Sequence, residues 1–176
     1  GLFDEHDNLI SDWNTLLANG NVTVVNNSLT NINISDGYKL VVPATIKDFS
    51  IEQTIGECVG WDEATYTDIY NGIKVLEFTS GLETVNCHIY GTGSITTIIF
   101  PETVTLFDGT YYWDNGDGTM SSSAGHCFDN CTFAITYKGV VYDLKNINTD
   151  AMMAFNSLPE CKVTCVHEEF GWEHDD

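Results

Sequence analysis

One apolar spacing with a proline inside it recurs along the chain, and it limits the folds that this sequence can adopt. In the stretch IIFPETVTLF (98–107), apolar residues first alternate, then a proline follows, and the next apolar residues come at intervals of three. With apolar positions written as φ, the pattern is φ-x-φ-P-x-x-φ-x-x-φ, and it fits three stretches. They are Ile98, Phe100, Pro101, Val104 and Phe107; Leu40, Val42, Pro43, Ile46 and Phe49; and Leu76, Phe78, Thr79, Leu82 and Val85.

The proline position predicts where each strand ends. Alternation with a period of two is typical of a β-strand. Proline has no amide hydrogen for a sheet ladder, so the strand should stop there and continue as a looser arm that buries one apolar residue per turn. A unit of this kind cannot cover its own apolar face, but stacked copies cover one another. We therefore expect Leu40, Leu76 and Ile98 on adjacent strands of stacked coils.

The first part of the chain carries a helical pattern. Residues 4–19 begin with several acids, and Gly20 follows directly after the pattern. Acids in the first turn and a glycine after the last are typical of helix ends. The sequence predicts one amphipathic helix here, suited to capping the stack. Its apolar residues are Leu9, Ile10, Trp13, Leu16 and Leu17.

Two further elements are predicted near the other end. The run AITYKGVVYDL (134–144) alternates on both sides of Lys138 and Gly139, which predicts a β-hairpin with its turn at these two residues. The run NTDAMMAFNSLP (148–159) has a polar cap at its start and Pro159 as a stop, which predicts a short helix. Its apolar residues are Ala151, Met152, Phe155 and Leu158.

The charge balance excludes several classes of partner. Asp and Glu number 26 against six lysines and no arginine, which gives a net charge near −20. Such a chain repels phosphate backbones and anionic membrane surfaces, and it lacks the residue best suited to grip phosphate. No run approaches the roughly 18 apolar residues of a membrane helix. We expect no nucleic-acid partner and no membrane insertion; the start at Gly1 suggests a processed or trimmed chain, from which a leader could have been removed.

SITTIIFPETVTLF, followed later by CFDNC, resembles the BspA-like leucine-rich repeat, whose pattern is C-x-x-L-x-x-I-x-L-P-x-x-L-x-x-I-x-x-x-A-F-x-x-C. The resemblance extends over about residues 37–144, with an insertion between Phe107 and Cys127, and the preceding copy closes with Ile89 and Tyr90 and no cysteine. It implies an α/β, β-rich fold: a short, right-handed, leucine-rich-repeat-like solenoid with an N-terminal capping helix and a C-terminal cap of hairpin and helix. The matching residues are Ile95, Ile98, Phe100, Pro101, Val104, Phe107, Cys127, Phe128 and Cys131.

This resemblance also divides the chain. Residues 1–20 would form the capping helix. Residues 21–144 would form a degenerate solenoid with insertions at about 50–72 and 108–125. Residues 145–176 would form the C-terminal cap and an acidic tail.

The run DNGDGT (114–119) suggests a calcium site, because alternate carboxylates with a glycine at the bend suit oxygen-coordinated cations. Placing Asp117 at the fifth loop position puts Trp113 at the first and Ala124 at the twelfth, where a glutamate belongs. The tip of a hairpin explains the same residues through turn chemistry. We favour the hairpin, and calcium at Asp114 and Asp117 stays open.

The cysteines and histidines suggest two hypotheses, a zinc site and thiol chemistry. Cys161 and Cys165 lie near His167 and His174, but the C-x-x-C spacing of zinc knuckles is absent, and core cysteines or a disulfide would fit equally. The repeat resemblance makes Cys127 and Cys131 small side chains in the interior. No catalytic motif is present, so we predict no enzyme activity, no catalytic residue, no metal and no cofactor.

Aromatic residues concentrate in the two insertions, GWDEATYTDIYNG (60–72) and GTYYWDNGDG (109–118). Stiff amphipathic rings beside hydrogen-bonding groups suit recognition of a protein or a sugar, although they could also cover the edges of the repeat. The candidate binding residues are Trp61, Tyr66, Tyr70, Tyr111, Tyr112 and Trp113.

Together these features favour a non-enzymatic binding module. The resemblance implies a bacterial secreted or cell-surface protein that mediates protein or host-surface binding, with an extracellular or cell-surface location. The alternative is a carbohydrate-binding, β-rich accessory domain that uses the aromatic insertions. The sequence leaves the oligomeric state, the ligand and the pairing of the cysteines open.

Overall fold

The computed structural model describes residues 1–51, 72–87, 89–90, 94–123, 126–129, 131–144 and 149–162. Within these ranges the protein is rich in β-structure, with two short helices, α1 (Trp13–Ala18) and α2 (Thr149–Asn156). The strands are β1 (Leu2–Phe3), β2 (Leu9–Ser11), β3 (Val22–Val25), β4 (Ser28–Ile32), β5 (Lys39–Val42), β6 (Asp48–Phe49), β7 (Val75–Phe78), β8 (Thr84–Asn86), β9 (Ile89–Tyr90), β10 (Thr97–Ile99), β11 (Leu106–Asp108), β12 (Tyr111–Asp114), β13 (Met120–Ser123), β14 (Phe128–Asp129), β15 (Ala134–Tyr137) and β16 (Val140–Asp143).

A seven-stranded sheet runs in the order β16-β15-β10-β7-β5-β1-β2. Its four central strands, β5, β7, β10 and β15, are parallel. Leu40 pairs with Leu76, Leu76 with Ile98, and Ile98 with Ile135, so four buried side chains line one inner column. This confirms the prediction that the matching positions of the recurring spacing lie on adjacent strands.

A five-stranded sheet runs in the order β11-β8-β6-β4-β3. Strands β4, β6, β8 and β11 are parallel, and their inner column consists of Leu29, Phe49, Val85 and Phe107. The stretches after the proline position were expected to be looser arms. They are instead short strands, because neighbouring copies supply hydrogen-bond partners that one copy alone lacks.

Each strand of the recurring spacing ends at the proline position, as the sequence predicts. Strand β5 ends before Pro43, β7 ends before Thr79, and β10 ends just before Phe100 and Pro101. A tight turn follows in every copy, with the amide three residues on donating to the carbonyl at the proline position. The three hydrogen bonds are Ile46 N to Pro43 O at 3.1 Å, Leu82 N to Thr79 O at 3.5 Å and Val104 N to Pro101 O at 3.3 Å.

Side-chain hydroxyls and a glycine join one copy to the previous one at these turns. Thr79 Oγ1 donates to Val42 O at 2.6 Å, and Thr103 Oγ1 donates to Leu82 O at the same distance. Gly81 has φ +138°, and a Cβ there would lie 2.4 Å from Ala44 O. Only glycine permits so close an approach of the two backbones.

Aromatic rings fill the space between the two sheets. Phe78 stacks on Phe100 at 5.6 Å between ring centroids, and Phe107 makes edge contacts with Phe100, Tyr137 and Phe155 at 5.1 to 5.2 Å. The hydroxyl of Tyr137 donates to Val104 O at 2.6 Å, which satisfies the one polar group of this buried side chain. One core therefore serves both sheets.

The predicted fold class, a leucine-rich-repeat-like solenoid, is wrong. The protein contains two mixed sheets, because antiparallel strands flank the parallel ones. Strands β1 and β2 close one edge of the seven-stranded sheet and β16 closes the other, while β3 pairs antiparallel with β4. The spacing identified the central parallel strands, but it contained no information on the antiparallel strands that border them.

The long capping helix predicted for residues 4–19 is also wrong. Only α1 is helical, and the residues before it form β1, a turn and β2. Leu2 is buried and pairs with Leu40, so burial of this residue against the sheet overrides helix propensity. Asp12 caps α1 by accepting a hydrogen bond from the Thr15 amide at 2.8 Å.

The predictions for the other end are confirmed. Strands β15 and β16 form a hairpin whose turn residues, Lys138 and Gly139, both have positive φ, as a type I′ turn requires. Helix α2 starts at Thr149 and places Phe155 in the core beside Tyr142, with ring centroids 5.4 Å apart.

Candidate functional site

The second aromatic insertion contains a hairpin that is separate from both large sheets. Strand β12 pairs antiparallel with β13, and neither pairs with any other strand of the described residues. The backbone of Tyr111, Tyr112 and Trp113 forms most of β12, opposite Ser121 to Ser123. Three of the six candidate binding residues therefore lie together on one element outside the main ladders.

Turn chemistry accounts for the tip of this hairpin, as the sequence indicates. The Asn115 amide donates to Thr119 O at 3.1 Å, and Gly116 and Gly118 both have positive φ. Asp117 Oδ1 accepts hydrogen bonds from the amide of Thr119, at 3.0 Å, and from its hydroxyl. Both bonds lower the pKa of the Asp117 carboxyl, and the bond from the Thr119 hydroxyl has the larger effect.

No metal centre emerges from the described part of the chain. It contains no group of three or more His, Cys, Asp or Glu side chains placed to hold an ion. Of the calcium hypothesis, the side chain of Asp114 lies outside the described residues. The same holds for Cys165, His167 and His174 of the zinc hypothesis.

The cysteines of the described core lie in apolar surroundings. Cys87, Cys127 and Cys131 are buried. Burial raises the pKa of the Cys127 thiol well above its usual range, and burial together with nearby Cys127 and Glu160 raises that of Cys161 to about 12. Thiols held protonated in this way are poor nucleophiles. The interpretation of Cys127 and Cys131 as core side chains is confirmed.

The outer face of the seven-stranded sheet is open to solvent among the described residues. A row of side chains crosses five strands in register, and each keeps part of its surface exposed. Four members are apolar or carry a hydroxyl, and Glu77 lies in the row between Val41 and Ile99 without a described ion-pair partner. The row consists of Val41, Glu77, Ile99, Thr136 and Val141.

Sequence reasoning missed this face, although a signal for it existed. In the recurring spacing, the x between the first two apolar positions is the outward residue of the strand, here Val41, Glu77 and Ile99. Apolar residues at two of these three positions were a sign that the outward side is not a simple solvated surface.

The outer face of the five-stranded sheet has a different chemistry. The Asp48 carboxylate accepts hydrogen bonds from Ser28 Oγ at 2.7 Å, Thr84 Oγ1 at 2.5 Å and Asn86 Nδ2 at 2.6 Å. Next to them, Asp108 lies 3.4 Å from the Lys162 ammonium. Polar groups on this face bond to one another across strands, so they are already occupied.

The structure describes only some of the predicted binding residues. Trp61, Tyr66 and Tyr70 lie outside the described residues, and Tyr111, Tyr112 and Trp113 are described only in their backbone. The candidate site is therefore defined by the β12–β13 hairpin and, independently, by the open outer face of the seven-stranded sheet.

Comparison of the chain with family models, curated proteins and solved structures gives no match. The resemblance to the BspA-like repeat therefore stays a prediction. Within the described ranges, no helix is long and apolar enough to cross a membrane.

Proposed function

We propose that the chain is a non-enzymatic binding module of a bacterial secreted or cell-surface protein and that it docks on a protein or a host surface. The observation that carries this proposal is the isolated β12–β13 hairpin, whose backbone presents Tyr111, Tyr112 and Trp113 outside both large sheets. Aromatic residues on a separate element are well suited to serve as anchors of an interface.

The open outer face of the seven-stranded sheet supports the same proposal. β-branched and hydroxyl side chains in a regular row give a stiff surface with little rotamer entropy to lose on contact. The Cys127 thiol, whose pKa is raised by burial, and the carboxylates engaged in turns and caps favour contact over chemistry.

A binding measurement with a matched pair of hairpin variants tests the proposal. The purified chain is applied to arrays of extracellular-matrix proteins and of glycans, and affinities are measured for the hits. The triple variant Tyr111→Ala, Tyr112→Ala, Trp113→Ala should lose at least about tenfold in affinity, since hot-spot aromatics each contribute about 2 kcal/mol or more. The control Met120→Ala, Ser121→Ala alters the partner strand of the same hairpin and should bind like the wild type.

The array results also separate the proposal from its alternative. Protein hits that depend on the aromatic run support the protein-binding module. Glycan hits without protein hits would favour the carbohydrate-binding domain. Unchanged binding by the triple variant would refute the role of the hairpin.

A further inference from the structure

Two buried cysteines, Cys87 and Cys127, lie next to each other although they are far apart in the sequence. Cys87 directly follows β8, and Cys127 directly precedes β14. Both belong to the hydrophobic core, with 2% and 3% of their surface exposed. The part of the chain between them contains the β12–β13 hairpin. A bond between the two would therefore fix the base of the segment that carries the candidate binding residues.

Backbone pairing brings the two positions together. Phe128 of β14 pairs in parallel with Ile89 of β9, and the Ile89 amide donates to the Cys127 carbonyl at 2.6 Å. Paired backbones lie about 4.8 Å apart. Cys127 therefore adjoins the stretch that leads from β8 into β9, and Cys87 belongs to that stretch. A disulfide requires Cα atoms about 4.4–6.8 Å apart, a separation that adjoining backbones provide.

The side chain of Cys127 is directed toward the same stretch. Its thiol donates a hydrogen bond to Val85 O, with 3.7 Å between sulfur and oxygen. Burial raises the pKa of this thiol, and a hydrogen bond between the Cys127 and Cys87 side chains raises it further. The two sulfur atoms are thus in direct contact range.

The other described cysteines are directed elsewhere. Cys131 Sγ donates to Ile89 O at 3.5 Å, and Cys161 Sγ donates to Phe155 O at 3.2 Å. The described contacts therefore favour Cys87 as the partner of Cys127.

We propose that Cys87 and Cys127 form a disulfide when the chain folds in an oxidising compartment. This inference rests on the proposed function, because a secreted or cell-surface protein passes through such a compartment, whereas cytosolic thiols are kept reduced. Oxidation precedes closure of the core, since both thiols are buried in the folded protein and thiols held protonated are poor nucleophiles.

A low-molecular-weight disulfide such as glutathione disulfide is the oxidant. The thiolate of one cysteine attacks a sulfur of glutathione disulfide, and one glutathione thiolate leaves. The thiolate of the other cysteine then attacks the mixed disulfide and displaces the second glutathione. The two cysteine thiols are oxidised, glutathione disulfide is reduced to two glutathione molecules, and these take up the two protons.

Oxidative refolding with mass mapping tests the proposal. The full chain is unfolded in urea with reductant and refolded either in a buffer of reduced and oxidised glutathione or in reductant alone. Remaining thiols are alkylated, and peptides from a digest without reduction are identified by mass spectrometry. We expect a peptide pair linked through Cys87 and Cys127 in the glutathione buffer and none in reductant. The absence of this pair, or linkage of either residue mainly to another cysteine, would overturn the proposal.

Thermal unfolding of serine variants provides a second readout. After oxidative refolding, the wild type should unfold at least about 5 °C above the reduced protein, because the cross-link restricts the unfolded chain. Cys87→Ser should abolish this difference. The control Cys131→Ser alters an equally buried thiol and should retain it. Retention of the difference in Cys87→Ser would assign it to another pair and overturn the proposal, and the wild-type mass map decides even if a variant does not fold.

This inference and the proposed function can fail separately. The array experiment depends on variants of the hairpin, whereas the refolding experiment reads the cysteines directly and needs no binding partner. A chain that binds through its aromatic residues but forms no bond between Cys87 and Cys127 would overturn the disulfide alone.

Discussion

The seven-stranded and five-stranded sheets share one core, yet their outer faces differ in chemistry. On the seven-stranded sheet, Val41 and Ile99 lie on either side of Glu77, a carboxylate without a described ion-pair partner. On the five-stranded sheet, Asp48 binds three neighbouring side chains. A face whose polar groups are already bonded has little to offer a partner, so the difference indicates which sheet is free to make contacts.

The largest effect should come from the core that the sheets share. Phe107→Ala removes a ring that contacts Phe100, Tyr137 and Phe155, and it should lower the free energy of unfolding by about 3–5 kcal/mol. Because Phe107 belongs to the five-stranded sheet and its ring contacts Tyr137 of the seven-stranded sheet, urea unfolding followed by circular dichroism and by fluorescence should give coincident transitions. Separate transitions would show that the sheets are independent.

A smaller effect should come from the turns that join the sheets. Gly81→Ala places a methyl group against Ala44 O at positive φ, and it should cost about 2 kcal/mol or more. Gly116→Ala at the hairpin tip is the matched control, because its φ is also positive but no atom lies within 4 Å of the new Cβ. Its cost should stay near 1 kcal/mol. Equal losses in urea midpoints would mean that the contact with Ala44 is unimportant.

The outer faces themselves are compared by removing one carboxylate from each. Asp48→Ala leaves Ser28, Thr84 and Asn86 without their shared acceptor, and it should lower the free energy of unfolding by about 1–3 kcal/mol. Glu77→Ala should change it by less than about 0.5 kcal/mol. If Glu77→Ala proves the more destabilising change in denaturant titrations, the assignment of the free face is incorrect.

The smallest effect concerns pH. Burial opposes ionisation of Asp108, but hydrogen bonds from Thr110 and the Lys162 ammonium outweigh it and lower its pKa below the usual 3.8. A carboxyl whose pKa is lower in the folded than in the unfolded state stabilises the folded state at pH values above the unfolded pKa. This stabilisation is lost as the pH falls through the folded pKa.

Asp108→Asn should therefore be less stable than the wild type by under about 1 kcal/mol at pH 7, and the two should converge below about pH 3, as measured by urea unfolding. If the difference in stability between Asp108→Asn and the wild type grew on acidification, the pKa of Asp108 would not be lowered in the folded state.

Several elements could be predicted because local sequence determines them. Lys138 and Gly139 specify a hairpin turn by their backbone preferences, and Pro43 and Pro101 end strands because they lack an amide hydrogen. The hairpin tip at 115–119 follows equally from its glycines and Asp117. Each of these signals acts within a few residues.

The antiparallel strands β1 and β2 at the other edge of the seven-stranded sheet could not be predicted in the same way. Residues 4–19 have a helical apolar spacing, but pairing of Leu2 with Leu40 places the N-terminal residues in the sheet. That preference depends on a partner far along the chain. The chemistry of the two outer faces could not be predicted from the sequence either. For example, Ser28, Asp48 and Thr84 come together only through the register of three strands.

The sequence by itself determined the central strands of the seven-stranded sheet, their ends, the hairpin turn at Lys138 and Gly139 and the late helix, because apolar periodicity and backbone chemistry are local properties. Only the tertiary structure decided that antiparallel strands border two mixed sheets and that one outer face bonds to itself while the other stays open. Those outcomes depend on which distant segments lie side by side, and no local pattern carries that information.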